Sequence, residues 1–225
     1  MLTEDAIIFQ IIEAVPETTQ IEKIEQTLLS YLNPAYSNIK KKMLFMEQIL
    51  DSLWNILDKA PSQKGTIFFC FIETVHPIVT NKTDFGYVKD VLQNYLENKF
   101  DNAAVFSSFA ETLTESLDPF MDVQEEEQRL IYTSMCFGLI LKVIYQSYEI
   151  NRMEDPDFDT TPFDKLIRSV SQFLSVNANE RVKGYLYKSL FDTNTIQLCC
   201  KLISERDLCS LLTQEWSYLC VDTIV

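Results

Sequence analysis

Glycine is nearly absent. Four glycines in 225 residues supply few of the positive-φ positions that strand-joining turns demand, and no glycine-rich loop that could wrap a phosphate. No run alternates apolar and polar residues over strand length, so a sheet protein is excluded on two counts. His76 is the sole histidine, and no Ser or Cys motif frames it as a catalytic base. Positive charge is short as well: 19 Lys and Arg stand against 33 Asp and Glu, a net charge of −14. That field repels phosphate backbones, and direct nucleic-acid binding is not expected. No export signal is expected either, since Met1-Leu2-Thr3-Glu4-Asp5 carries acids where such leaders carry bases. The six cysteines, Cys70, Cys136, Cys199, Cys200, Cys209 and Cys220, lie within apolar helical patterns and show no Cys-x-x-Cys step. They predict reduced, buried thiols, which places the chain in the cytosol or nucleus.

Helical period is what the sequence has in abundance. Thr3 caps a first helix through Ala14, ended by Val15-Pro16, and Thr19-x-x-Glu22 is a capping box for a second through Leu32. A third is predicted from about Ser37 to Asp58; Lys40, Lys41 and Lys42 lead into its stripe of Ile39, Met43, Met46, Ile49, Leu50, Leu53, Trp54 and Leu57. Ala60-Pro61-Ser62 starts a fourth, apolar on most sides until His76-Pro77 breaks it, and its character is that of an inner helix. Thr83 or Asp84 caps a fifth, and Asp101 caps a sixth that Asp118-Pro119 closes. Beyond Glu125, Glu126 and Glu127, which suit the positive end of a helix dipole, Leu130 to Tyr145 is apolar on every side of a helical wheel. A soluble helix with no polar face must be surrounded by others, so this seventh helix is expected at the centre. A membrane span is not expected, because the run falls short of the roughly 20 apolar residues a bilayer needs and carries Lys142. Thr161-Pro162 opens an eighth helix, Asn177-x-x-Glu180 a ninth, Thr193 or Asn194 a tenth and Ser204-x-x-Asp207 the last, about eleven in all.

Helices of this length on short turns pair as antiparallel hairpins. The expected fold is all-α: an irregular α-solenoid of antiparallel helical hairpins, HEAT- or armadillo-like, without the fixed repeat of tetratricopeptide or ankyrin arrays. Residues 1–150 are expected to form an N-terminal helical-repeat lobe and 162–225 a C-terminal helical lobe of one continuous domain, with 151–161 an acidic loop between them. The segments Ile39 to Leu57, Thr66 to Val79 and Tyr87 to Ser116 are followed by Leu166 to Leu212, where Phe173-Leu174 and Leu190-Phe191-Asp192 precede polar turns. This layout resembles the helical-repeat part of PCI-type subunits. The resemblance implies a subunit of a translation-initiation or related assembly, ending in a winged-helix module. It rests on apolar spacing, carries over no functional residue, and meets no strand pattern after Ile203.

Candidate site residues are charged. Asp155, Asp157 and Asp159 have the alternate spacing that opens a calcium loop, but Thr160 stands where its glycine belongs and Leu166 where its closing glutamate belongs, so no metal is expected. Glu125, Glu126 and Glu127 read equally as a helix start and as an acidic docking patch. Lys40, Lys41 and Lys42 read as a solvated face or, more sharply, as a phosphate contact. Next to Pro77, His76 reads as a helix-end group bonding the last carbonyls. Asp222-Thr223-Ile224-Val225 fits a PDZ groove or a plain chain end. With no cofactor motif and no catalytic set, the expected function is a non-enzymatic scaffold or adaptor that binds a protein partner, a basic one given the charge. From another class, a helical enzyme with a buried pocket remains as the alternative.

Overall fold

The structure, a computed structural model, describes residues 4–13, 21–33, 38–117, 123–175, 179–190 and 193–202. The helix expected from Ser204, the chain end Asp222–Val225, Cys209, Cys220 and the capping residues Thr3, Thr19 and Asn177 lie outside them. Among the described residues all regular structure is helical: α1 (Glu4–Ile12), α2 (Ile21–Leu32), α3 (Ile39–Leu44), α4 (Met46–Lys59), a 3-10 turn (Pro61–Gln63), α5 (Lys64–Thr80), α6 (Lys82–Asn98), α7 (Val105–Ser116), α8 (Val123–Glu154), α9 (Thr161–Ser175), α10 (Glu180–Leu190) and α11 (Thr193–Leu202). The all-α expectation holds. The chain divides into two compact units, Met1–Phe109 and Ala110–Val225, the division falling within α7.

Unit 1 is built round α5. Ile67, Phe68, Cys70, Phe71, Ile72, Thr74, Val75 and Ile78 are all buried, leaving a partly open strip through Phe69, Glu73 and His76. Helices α2, α3, α4 and α6 pack against it, and α1 lies on α2 and α4. Aromatic rings fill the space between: Phe109 sits 5.6 Å from Trp54, 5.1 Å from Phe68 and 5.4 Å from Phe71, centroid to centroid.

Two boundaries in unit 1 differ from those expected. The third predicted helix is two, broken at Phe45, whose backbone (φ −106°, ψ 18°) leaves the helical region while its ring packs edge-on to Phe9 at 5.5 Å. Conversely, Pro77 does not end α5. It sits one turn from the end, and the Asn81 N–H closes on the Pro77 carbonyl at 2.9 Å. Proline removes one backbone donor, to the Glu73 carbonyl, and the packing of α5 on four neighbours outweighs that loss. The next helix is capped by Asn81, whose Oδ1 accepts from the Asp84 N–H at 3.3 Å, and not by Thr83 or Asp84.

In unit 2, α8 packs against α10 and α11, and α10 also meets α9. Phe137, Ile140, Leu141, Val143 and Ile144 are 0% exposed. Leu139, expected to be buried beside Ile140, is only half-buried. Polar ends extend the helix to 32 residues, so it is long and apolar enough to cross a bilayer, and length alone does not exclude a span. Thr133, Ser134 and Ser147 are buried along with the aliphatics. Gly138 lets its neighbours come close. A Cβ there would lie 2.8 Å from Thr195 Oγ1 on α11, and the Gly138 N–H donates to Ser189 Oγ on α10 at 3.0 Å.

Candidate functional sites

Lys40, Lys41 and Lys42 part company. α3 exposes Lys40, half-buries Lys41 and turns Lys42 inward until it is 1% exposed. The Lys42 ammonium lies 3.7 Å from Glu73 Oε2 on α5, an ion pair and not a hydrogen bond, and 4.2 Å from the centroid of the Tyr31 ring on α2. His76 stands one turn beyond Glu73, its Nδ1 4.0 Å from the same carboxylate oxygen. One carboxylate is thereby shared by two bases. Tyr31 closes the group, its hydroxyl hydrogen-bonded to Thr74 at 2.8 Å. Burial pushes the Tyr31 hydroxyl and the Cys70 thiol up, so both hold their protons. Burial pulls Lys42 and His76 down, against the Glu73 charge that favours their protonated forms. His76 is therefore an interior group of α5 and not a helix cap. Glu73 and His76 make a Glu-x-x-His step that the cap reading passes over. The signal for Lys42 was present too: positions 42, 46, 49 and 53 run down one helical face, and the other three are Met46, Ile49 and Leu53.

A second feature of unit 1 is a polar notch of about 190 Å³ between α4, the end of α6 and the residues leading to α7. Asp51, Asp58 and Asp101 line it with Asn55 and Lys99, over Trp54, Tyr95 and Asn102. The Trp54 indole N–H donates to Tyr95 Oη at 3.0 Å, and that hydroxyl donates to Asp51 Oδ1 at 2.6 Å. Asn102 Nδ2 donates to Asp58 at 2.7 Å, while its Oδ1 accepts from the Val105 N–H at 3.2 Å and so starts α7, a role the sequence assigned to Asp101. Lys99 is held by Glu47. Burial first, then the Asp51 hydrogen bond and charge, raise the Tyr95 hydroxyl above its usual range, so it remains a donor.

A third feature is apolar and exposed. At the break between α3 and α4, Leu44 is 72% exposed, next to Phe45, whose ring lies on the 45% exposed Phe9.

The acidic candidates are in unit 2. Glu127 accepts from Asn179 Nδ2 at 2.8 Å, tying the second turn of α8 to the start of α10. The side chains of Glu125 and Glu126 lie outside the described residues. Past the end of α8, Asp155 and Asp159 are exposed and each accepts a backbone N–H two residues on, from Asp157 at 3.0 Å and Thr161 at 2.9 Å. Hydrogen bonds from the Thr161 side chain and backbone hold Asp159 below the usual carboxylate range. Asp157 is exposed. Phe158 packs on Tyr148 at 6.4 Å, so the segment is a formed turn, and α8 runs through Glu154 into the stretch expected to be loop. Cys70, Cys136 and Cys199 are free and buried. Among the described residues no group of His, Cys, Asp and Glu is placed to hold a metal ion.

No protein-family model matches the sequence, and no curated protein matches it. Function has to be read from the geometry.

Proposed function

We propose that the chain is a non-enzymatic helical adaptor that binds a protein partner at the apolar surface where α3 breaks into α4. The observation that carries this reading is the Leu44–Phe45–Phe9 patch: a helix break without proline or glycine turns one leucine almost fully into water and lays two rings together beside it. Acids lie further along α4: Asp51 is five residues, about 7 Å, past Met46, and it lines the notch with Asp58 and Asp101. An apolar patch on a unit that also carries these acids suits a partner that is itself basic, with the charge speeding encounter and the apolar contact holding the complex.

The order of contacts supports a HEAT- or armadillo-type hairpin reading for unit 1. α1 pairs with α2 and α4 with α5, while α1 lies on α4 and α2 on α5, first helix on first and second on second. A PCI-type subunit is the finer version of the same proposal. No cofactor, nucleic acid or membrane span enters it, and its setting is the cytosol or nucleus.

The test is a photo-crosslinking residue placed at Leu44 in the native cell, with Met153, 83% exposed in unit 2, as the control position. A partner captured from position 44 and not from 153, whose affinity falls about tenfold or more in a folded Leu44→Asp variant, supports the reading. Full affinity in Leu44→Asp sinks it.

A further inference from the structure

We propose that α3 is an acid-released latch: protonation of His76 beside the buried Lys42 frees Ile39–Leu44 from α5 and so remodels the apolar surface at Leu44 and Phe45. The consequence for a partner rests on the function proposed above. The release itself does not.

The hold on α3 is slight. It has six residues, of which only Lys42 and Met43 are buried. Asn38 caps it through a 3.1 Å bond from the Lys41 N–H, and Leu44 at its end faces water. Half of the buried anchor is thus a charged side chain. Its ammonium has lost its water and gained one ion pair at 3.7 Å and a ring face at 4.2 Å, with no hydrogen bond among the described residues. A buried charge so thinly compensated gains by returning to solvent. Short segments with few buried apolar contacts are the ones that open locally while the rest of a fold stays closed.

Titratable groups meet here from three helices. Tyr31 faces the cluster from α2, Lys42 from α3, and Cys70, Glu73 and His76 from α5. Tyr31 and Cys70 are held protonated and neutral by burial. With His76 neutral, Lys42 and Glu73 balance. A proton on His76 places a second cation against a single carboxylate 4.0 Å away, in competition with Lys42. Releasing α3 resolves the competition in one direction: Lys42 goes to water, and Glu73 is left to His76 alone. The docked state therefore binds the His76 proton less tightly than the released state; burial does most to lower the docked group, and the Lys42 charge adds to it in the same direction. Where the open state holds more protons, acid favours opening, so release grows as pH falls through the ordinary histidine range near about 6.5. One linked proton changes the opening equilibrium by at most about tenfold per pH unit.

Hydrogen exchange on the intact chain reads this directly. After correction for intrinsic rates, protection over residues 39–44 is expected to fall about tenfold between pH 7 and pH 5.5, with peptides from α4 unchanged. His76→Gln is expected to flatten that dependence. Because His76 is the only histidine, its ring proton can also be titrated by NMR without ambiguity, and Lys42→Met is expected to raise its midpoint. Protection over 39–44 that ignores pH in the wild-type chain, or that falls equally in His76→Gln, overturns the latch. So does a midpoint that Lys42→Met leaves in place or lowers. These readouts need no partner, and the crosslinking result at neutral pH stands or falls separately.

Discussion

In unit 1 the innermost helix, α5, packs through rings: its Phe68 and Phe71 meet Trp54 and Phe109 edge-on or tilted at 5.1–5.8 Å. In unit 2 the innermost helix, α8, meets its neighbours through Ile140, Leu141, Val143 and Ile144, the buried hydroxyls of Thr133, Ser134 and Ser147, and Gly138. Rings are large, rigid pieces and leave irregular gaps, and unit 1 fills its gaps with polar chemistry: the Trp54–Tyr95–Asp51 chain and the Lys42–Glu73–His76 group. Small side chains let helix axes approach, and unit 2 gains its packing from closeness. The same helical period thus hides two strategies, one that fills the gaps between rings with polar groups and one that draws helix axes together, with Lys183 its buried cation, 3.5 Å from Glu180.

The largest effect should come from putting charge into the apolar interior of α8. Ile140 is 0% exposed, and Ile140→Asp would bury an unpaired carboxylate at a cost of several kcal/mol, comparable to the whole stability of a domain. Loss of the cooperative thermal transition is the expected outcome. An unchanged melting temperature would mean that α8 is peripheral to its unit.

In unit 1, charge is already inside, and what matters is its partner. Glu73→Gln leaves the Lys42 ammonium buried against a neutral amide. Breaking a buried pair costs about 3–5 kcal/mol, and the low end applies because the Glu73 side chain is 26% exposed and the pair is long, at 3.7 Å. Lys42→Met removes the charge and keeps the stem, and is expected to be neutral or stabilising by about 1 kcal/mol. In the double variant most of the Glu73→Gln loss should vanish. Additive losses in urea unfolding would show that the two side chains do not share one site.

The helices were legible because caps and stripes are local, and the site was not because charge placement is tertiary. Asn81, Asn102 and Asn179 start three helices by accepting backbone N–H groups, a role that Thr83 or Asp84, Asp101 and Asn177 fit as well on paper. The break at Phe45 has no glycine, proline or asparagine to announce it; it accompanies the packing of the Phe45 ring on Phe9. Pro77 announced a break that the packing of α5 overrides. Acids and amides at each end of the Leu130–Tyr145 run hid a further turn or more of α8, since polar residues on a helix end carry no apolar period. The notch joins α4 to Asp101 and Asn102 across more than forty residues, and no spacing rule reaches that far.

The smallest effect sharpens the comparison most, because it pits packing against propensity in the two units with one kind of substitution. Gly86 lies within α6 of unit 1 and has nothing within 4 Å of where a Cβ would stand. Alanine there keeps the helix, narrows the unfolded ensemble, and should add roughly 0.5–1 kcal/mol. Gly138 of unit 2 offers the same gain, but its Cβ would come within 2.8 Å of Thr195 Oγ1. Thr195 is β-branched and 4% exposed, so its hydroxyl has no free rotamer to retreat into. Forcing a methyl into such a gap costs about 1–3 kcal/mol, which outweighs the propensity gain and leaves Gly138→Ala destabilising by about 1 kcal/mol. Denaturant midpoints should therefore move in opposite directions for the two alanines, and Gly138→Ala should cost less on a Thr195→Ala background, where the oxygen is gone. Midpoints that rise together would mean that α8 and α11 stand further apart than 2.8 Å implies, and the contrast between a ring-filled and a close-packed unit would lose its best support.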